Sequence, residues 1–389
     1  MFQLSRIIIS AILPFVAVLL AEAGTADSVA VAGAADPPKL NLVEKVIRYF
    51  DETNKPRERK QFDMSFIGGP FYSSDTKFGI GLVGSALYYH SMADTVTQPS
   101  QIALKLQLST TLFYSLALEG THIFPRDRFR AGYSVEFYSF PTYFWGIGYD
   151  AARHSAKTRY VERAVDVKGD FLVNLGHHMY VGPTAGMSWT DATRRRVPLE
   201  PWAGEPRTVT ATFLGVTASL DTRDVITDPW SGWYVSVSQK FYPRFLGNTT
   251  HSFSSTTFEM SHYRRVWKGG TLAAKLRGLF TYGHTPWPEM ATFGGSSTMR
   301  GYYEGQYRDK CAADITVELR QHVWRRSGVA VWAGAGTVFP SFDRIRWKRV
   351  LPCAGIGYRF EFKKRVNVRV DFGVGKGTTG FEFSINEAF

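Results

Sequence analysis

Strict alternation of apolar and polar residues leaves few folds open to this chain. In Val366-Asn367-Val368-Arg369-Val370-Asp371-Phe372 the apolar side chains hold every even position and the polar ones every odd position. Successive side chains of a strand point to opposite faces, so such a segment has one greasy face and one charged face. The same split recurs in Phe381-Glu382-Phe383-Ser384-Ile385-Asn386 and in Ile315-Thr316-Val317-Glu318-Leu319-Arg320. It recurs again from Leu272 to Phe280, where Lys275 and Arg277 alternate with Leu272, Leu276 and Phe280. A single segment of this kind fits a soluble antiparallel sheet as well as a membrane barrel. Repetition along the chain is what separates the two.

Runs of strand length with period two follow one another from residue 61 to the C terminus, the first near 61–72 and the last near 379–389. They number about 16, and an even number is what antiparallel membrane barrels of bacteria use. Connections at 176–178, 267–270, 324–327 and 363–365 are short, whereas those around 141–160, 190–208 and 286–310 are long. Short turns at one end and long loops at the other mark outer-membrane barrels, with two exceptions here near 90–100 and 222–231. Glycine is high at 36 residues and aromatics reach 15%, which suits short alternating strands better than long buried helices. The fold expected is all-β, a transmembrane antiparallel β-barrel over residues 61–389.

The first residues supply a compartment. A short stretch ending at Arg6, an apolar run from Ile7 to Leu20 and the small-x-small sequence Ala21-Glu22-Ala23 read as a secretory signal peptide over residues 1–23. Pro14 interrupts the run, which is shorter than a membrane-spanning helix needs. Residues 24–60 read as a periplasmic leader whose Leu40–Tyr49 segment has helical spacing. The net charge of +12 is expected to line a wet lumen and to face anionic lipid and lipopolysaccharide rather than nucleic acid. Cys311 and Cys353 fall on opposite faces of their strands, a geometry no disulfide bridges, so two free thiols are expected. Neither a cofactor nor a metal site is implied. His177-His178 sit in a tight turn without partners, and Gly373-Val374-Gly375-Lys376-Gly377-Thr378 lacks the helix that a phosphate loop needs and reads as a turn. No Ser/His or Cys/His pairing stands out, so no catalytic residue is assigned and the chain is not expected to be an enzyme.

The segment 294–309, GGSSTMRGYYEGQYRD, adds specificity. A paired glycine, then Arg300-Gly301-Tyr302, then a strand carrying the inward acid Glu318 resembles the outer membrane assembly factors of the BamA/TamA family. The resemblance implies that loop 286–310 folds back into the barrel and that Arg300 is pinned by acids on the strands that follow. A guanidinium offers a rigid fork of donors matched to a carboxylate. Glu318 matches the first of these acids. At the second, within an aromatic-x-acid-x-Gly motif, this chain reads Trp332-Ala333-Gly334-Ala335-Gly336, so Gly334 replaces the acid and Asp371 or Glu382 would have to substitute. Gly334 and Gly336 face inward, either clearing room for the loop tip or relieving curvature of the wall. Gly301 lets the tip turn tightly, and Gly294-Gly295 hinge the loop's entry. Asp221-Thr222-Arg223-Asp224 through Gly232 resembles another family landmark, a turn with a local role.

Phe381, Phe383 and Ile385, with the terminal Phe389 on the same parity, resemble the C-terminal signal that outer-membrane proteins present for their own assembly. Residues 24–60 are too few for one POTRA module, the periplasmic unit of the family's larger members. The function implied is insertion or translocation of proteins or lipids through a weak seam between first and last strands, where Gly68-Gly69-Pro70 disturb regular pairing. The partners implied are outer-membrane lipid and lipopolysaccharide, with unfolded outer-membrane proteins as clients and accessory lipoproteins; the barrel is expected to be a monomer. The rival readings are a passive channel for anionic solutes and a structural surface barrel.

Overall fold

In the computed structural model the alternating segments form one wall. The structure describes residues 61–389 apart from 75, 91–96, 98, 155–156, 197–199, 203, 249–250, 296 and 364. The expected signal peptide and leader lie outside the described residues.

The chain runs through β1 (Phe62–Ser73), β2 (Lys77–Tyr88), β3 (Ser100–Ser109), β4 (Tyr114–Ile123), β5 (Phe129–Phe144) and β6 (Thr158–Gly176). It continues through β7 (Met179–Thr193), β8 (Thr208–Asp221), β9 (Gly232–Tyr242), β10 (Phe253–Trp267) and β11 (Gly270–Gly283). Two three-residue strands, β12 (Ala291–Phe293) and β13 (Tyr307–Asp309), pair with each other inside the next connection. The wall is completed by β14 (Cys311–Trp324), β15 (Ser327–Phe339), β16 (Leu351–Lys363), β17 (Val366–Gly375) and β18 (Thr378–Ile385). The result is a closed antiparallel barrel of 16 strands in which β11 pairs directly with β14 and β1 meets β18.

Parity sorts the side chains as the alternation requires. Ile315 and Val317 are exposed on the outer face, while Glu318 between Val317 and Leu319 is completely buried inside. Phe62, Met64 and Phe66 expose the outer face of β1 in the same way. A wall with apolar residues outside and charges inside inverts the soluble pattern and suits a lipid surround.

Five elements depart from the sequence reading. β5, β6 and β7 extend through 141–144, 158–160 and 190–193, stretches read as loop. Phe144 and Tyr160 there pack with Trp202 and Trp287 into a buried aromatic cluster whose partners come from distant loops. A short helix, α1 (Tyr149–His154), interrupts the β5–β6 loop and sets Tyr149 against Tyr307 at 5.8 Å. The last strand stops at Ile385 instead of running to 389.

Both cysteines are free and buried. Cys353 is lumenal, its Sγ 3.8 Å from Met299 Sδ. Cys311 sits between Phe280 and Phe339 in the ladder, and Phe342 folds over both rings.

Candidate functional site

The β11–β14 connection enters the barrel and occupies its interior. Gly294 and Gly295 have φ of +114° and +85°, and a Cβ on Gly294 would run into the Tyr303 carbonyl, so the paired glycine is what lets the chain fold back on itself. Gly295 N–H then donates to Tyr302 O at 3.1 Å, and Tyr302 N–H to Met299 O at 3.2 Å, closing the tip around Arg300 and Gly301.

At the tip, Arg300 Nη2 donates to Glu318 Oε2 and Nη1 to Asp371 Oδ2 at 2.7 Å. Its guanidinium carbon lies 3.6 Å from the Trp332 ring centroid, so an aromatic face supports the fork from the side. The acids are shared. Arg320 Nε donates to Glu318 Oε1 at 2.7 Å, while Arg359 Nη1 and Arg369 Nη1 donate to Asp371 at 2.5 and 2.7 Å. Glu382 approaches Arg369 at 3.6 Å, whereas the acids that meet Arg300 among the described residues are Glu318 and Asp371. Tyr302 fixes the other side of the tip: its hydroxyl donates to Pro352 O and accepts from Lys376 N–H, both at 2.7 Å.

The glycines of the site divide. Gly301 has φ +113°, and a Cβ there would lie 2.9 Å from the backbone of Gly373 and Val374. A Cβ on Gly373 would sit 2.6 Å from Arg300 O, and one on Gly375 would be 2.5 Å from the Tyr302 ring. These two lumenal glycines of β17 make the floor on which the tip rests. The phosphate-loop-like stretch is therefore partly strand. Gly336 faces the loop through Met299 Sδ, at 3.1 Å from its would-be Cβ. Gly334 faces Cys353 and Thr316 of the wall, and it adjoins the tip only through Cys353, whose Sγ touches Met299.

A model of the Omp85 superfamily domain matches residues 72–389. The chain belongs to the Omp85 superfamily. Its members are outer-membrane barrels related to protein insertion and translocation, not enzymes. Among solved structures, the barrel is similar to BamA from Haemophilus ducreyi lacking POTRA domains 1–3. That match has a TM-score of 0.54 and 13% identity over 85% of this chain and 71% of that one. It is also similar to CdiB from Escherichia coli, with a TM-score of 0.55 and 12% identity over 88% of this chain and 70% of that one. For CdiB from Acinetobacter baumannii the TM-score is 0.53 at 11% identity, over 84% of this chain and 60% of that one. Identities this low carry the fold alone. No curated protein matches the chain significantly.

In this Omp85 barrel the C-terminal residues do not continue the outward face. Phe381 is exposed on β18 and packs on Tyr72 at 5.5 Å, and Phe383 pairs with Tyr72 in the ladder. After Ile385 the chain turns at Asn386, with φ +69°, and enters the lumen. Glu387 accepts from Arg359 Nε and from Asn367 Nδ2, each at 2.8 Å. Arg320 Nη2 donates to Phe389 O at 2.8 Å and stands 5.4 Å from its ring. Phe389 is thus lumenal, correcting the expectation that it shares the parity of Phe381. Arg320 and Arg359, already bound to Glu318 and Asp371 of the wall, use their remaining donors to hold the tail inside.

The β8–β9 turn also does more than reverse the chain. Arg223 pairs with Asp221 at 2.7 Å and Asp224 Oδ1 accepts from Trp230 N–H at 2.9 Å, which is the local role expected. In addition Arg365, from the β16–β17 turn, reaches Asp224 at 2.7 Å and stacks 3.5 Å from Trp230, and Thr227 Oγ1 donates to Arg365 O. The turn therefore crosses the mouth of the barrel at the end where the chain terminates.

Proposed function

We propose that this barrel inserts or translocates other proteins in the outer membrane, exchanging them at the seam between β1 and β18. The observation that carries the reading is the pairing of β1. Every residue of β1 has a partner on β2, but on the other side only Tyr72 and Ser73 pair, with Phe383 and Glu382. The edge from Phe62 to Phe71, including Gly68, Gly69 and Pro70, has no ladder partner on β18 among the described residues. Unpaired backbone groups facing lipid cost several kcal/mol each, so such an edge is a template for an added strand. Superfamily membership supports protein clients. A lumen filled by Met299, Tyr302 and Tyr307 of the folded-in loop favours exchange at the seam over passive conduction through the pore.

The terminal end, with its mostly short turns, faces the periplasm in this reading, and the long loops face outward. The test is a barrel carrying Tyr72→Cys and Phe383→Cys, reconstituted in liposomes and given an unfolded outer-membrane protein while solute leakage is recorded. Insertion lost on oxidation and restored on reduction supports the seam. Equal insertion in both states overturns it, and leakage without insertion makes the barrel a channel.

A further inference from the structure

Two neighbouring hairpins at the terminal end share a construction used by neither seam nor anchor. The β10–β11 turn reads Arg264-Arg265-Val266-Trp267-Lys268-Gly269 and the β14–β15 turn His322-Val323-Trp324-Arg325-Arg326. Because β11 pairs with β14, the two turns lie side by side. In both, the ladder slips just before the tryptophan, between Arg265 and Trp267 and between His322 and Trp324. A bulge re-aims the side chain beside it. Unbroken alternation would give Trp267 the parity of buried Tyr263 and Trp324 that of buried Arg320. Instead Trp267 is 54% exposed and Trp324 63%. Trp267 Nε1 donates to Gln321 Oε1 at 2.5 Å, which holds the indole over the outward parity of β14. A Cβ on Gly270 would run into that indole, so the glycine makes its seat. The Arg325 guanidinium stacks 4.6 Å from the Trp324 centroid.

Charge sets these turns apart. Other turns at the same end set an acid beside a cation: Asp127 pairs with Arg130 at 2.6 Å, Asp221 with Arg223 at 2.7 Å and Asp224 with Arg365 at 2.7 Å. The two tryptophan turns contain no acid, and Arg264, Lys268 and Arg325 are exposed with no ion pair among the described residues. Beyond them along the wall the outer face becomes apolar at Leu272, Val317 and Val329. Aliphatic side chains, then indoles, then cations follow the order of acyl chain, interface and phosphate in one leaflet.

We propose that this pair of hairpins is a docking site for the headgroup of an anionic phospholipid in the leaflet at the terminal end. Arg264, Lys268 and Arg325 meet the phosphate oxygens through charge-assisted hydrogen bonds, and the two indoles hold the glycerol region. The site rests on the reading that the barrel spans a bilayer.

The experiment uses the full chain in lipid nanodiscs containing trace phosphatidylglycerol with a photoactivatable acyl chain, compared with the matching phosphatidylcholine. Labelled peptides are mapped by mass spectrometry. Peptides spanning 262–270 and 320–328 should take the anionic lipid about fivefold over the neutral one, and high salt should erase the preference. The variant Arg264→Gln/Lys268→Gln/Arg325→Gln should lose the preference while keeping the heat-dependent gel shift of a folded barrel. Equal labelling by the two lipids, or a preference unchanged in the variant, overturns the headgroup site. Labelling of the outer strands but not of these turns also overturns it, leaving an acidic protein as the partner to seek. No labelling of any outward strand overturns the membrane reading itself.

Discussion

Arg300 reaches two carboxylates, and each of them is held by further arginines. Removing one member of a buried ion pair strands the other charge and costs roughly 3–5 kcal/mol, less where water enters the lumen. Arg300→Glu should therefore lower the temperature at which the folded barrel collapses to the denatured band on a gel. Adding Glu318→Arg should not rescue it, although a simple pair would be rescued by the swap. The new arginine would face Arg320 and Arg359, whose guanidiniums stand 2.7 and 3.8 Å from Glu318. Recovery in the double variant would show that Arg300 and Glu318 act as an isolated pair. Glycine acts at the same scale by absence: Gly375→Val should displace Tyr302, and with it the hydroxyl that ties Pro352 to Lys376. The observable is faster proteolysis of loop 286–310 with the wall intact.

Among the elements, the turn crossing the terminal mouth carries a group set to respond to pH. Burial first, and the neighbouring Glu387 carboxylate second, push the Asp228 carboxyl from 3.8 up to about 6. The folded barrel thus keeps a proton that the unfolded chain has released over that interval. The stabilisation this gives is complete below the unfolded value and is lost as pH rises through about 6. Its ceiling is about 3 kcal/mol, since one unit of pKa is worth about 1.4. The wild-type melting temperature should rise as pH falls through this window by more than that of Asp228→Asn, and parallel pH profiles for the two proteins would contradict the assignment. Glu387 belongs to the C-terminal tail and shares Arg320 and Arg359 with the acids of the loop anchor. The tail meets both arginines, the turn meets Arg320 through Asp228 at 3.9 Å, and the loop joins them through the acids it shares with them.

Across the whole molecule, plug and seam are separable. Arg300→Glu should raise conductance in planar bilayers by freeing the loop, whereas the oxidised Tyr72→Cys/Phe383→Cys barrel should stay closed and lose insertion. A conductance rise in the cross-linked barrel would mean that locking the seam opens the lumen, so that plug and seam are coupled and not separable. The wall tolerates this division because fifteen of its sixteen strand junctions are long ladders and only β1–β18 is short.

Period two along the chain determined the all-β class, the strand positions and which face of each strand is apolar, because parity is a local property of backbone and side chain. Gly294-Gly295, Arg300 and Glu318 were legible for a similar reason: each is an unusual residue in a recognisable spacing. Asp371 was visible only as one of two candidates, the other being Glu382. Choosing between them needed the closed barrel, which brings β17 across the lumen to β14 only once the circumference is fixed. Arg320, Arg359 and Gly375 gave no signal beyond their inward parity. Phe389 was misplaced because parity says where a strand's side chains point, not where the strand ends. Lumenal arginines with donors to spare decide that, and they come from β14 and β16, distant in sequence and brought together by closure.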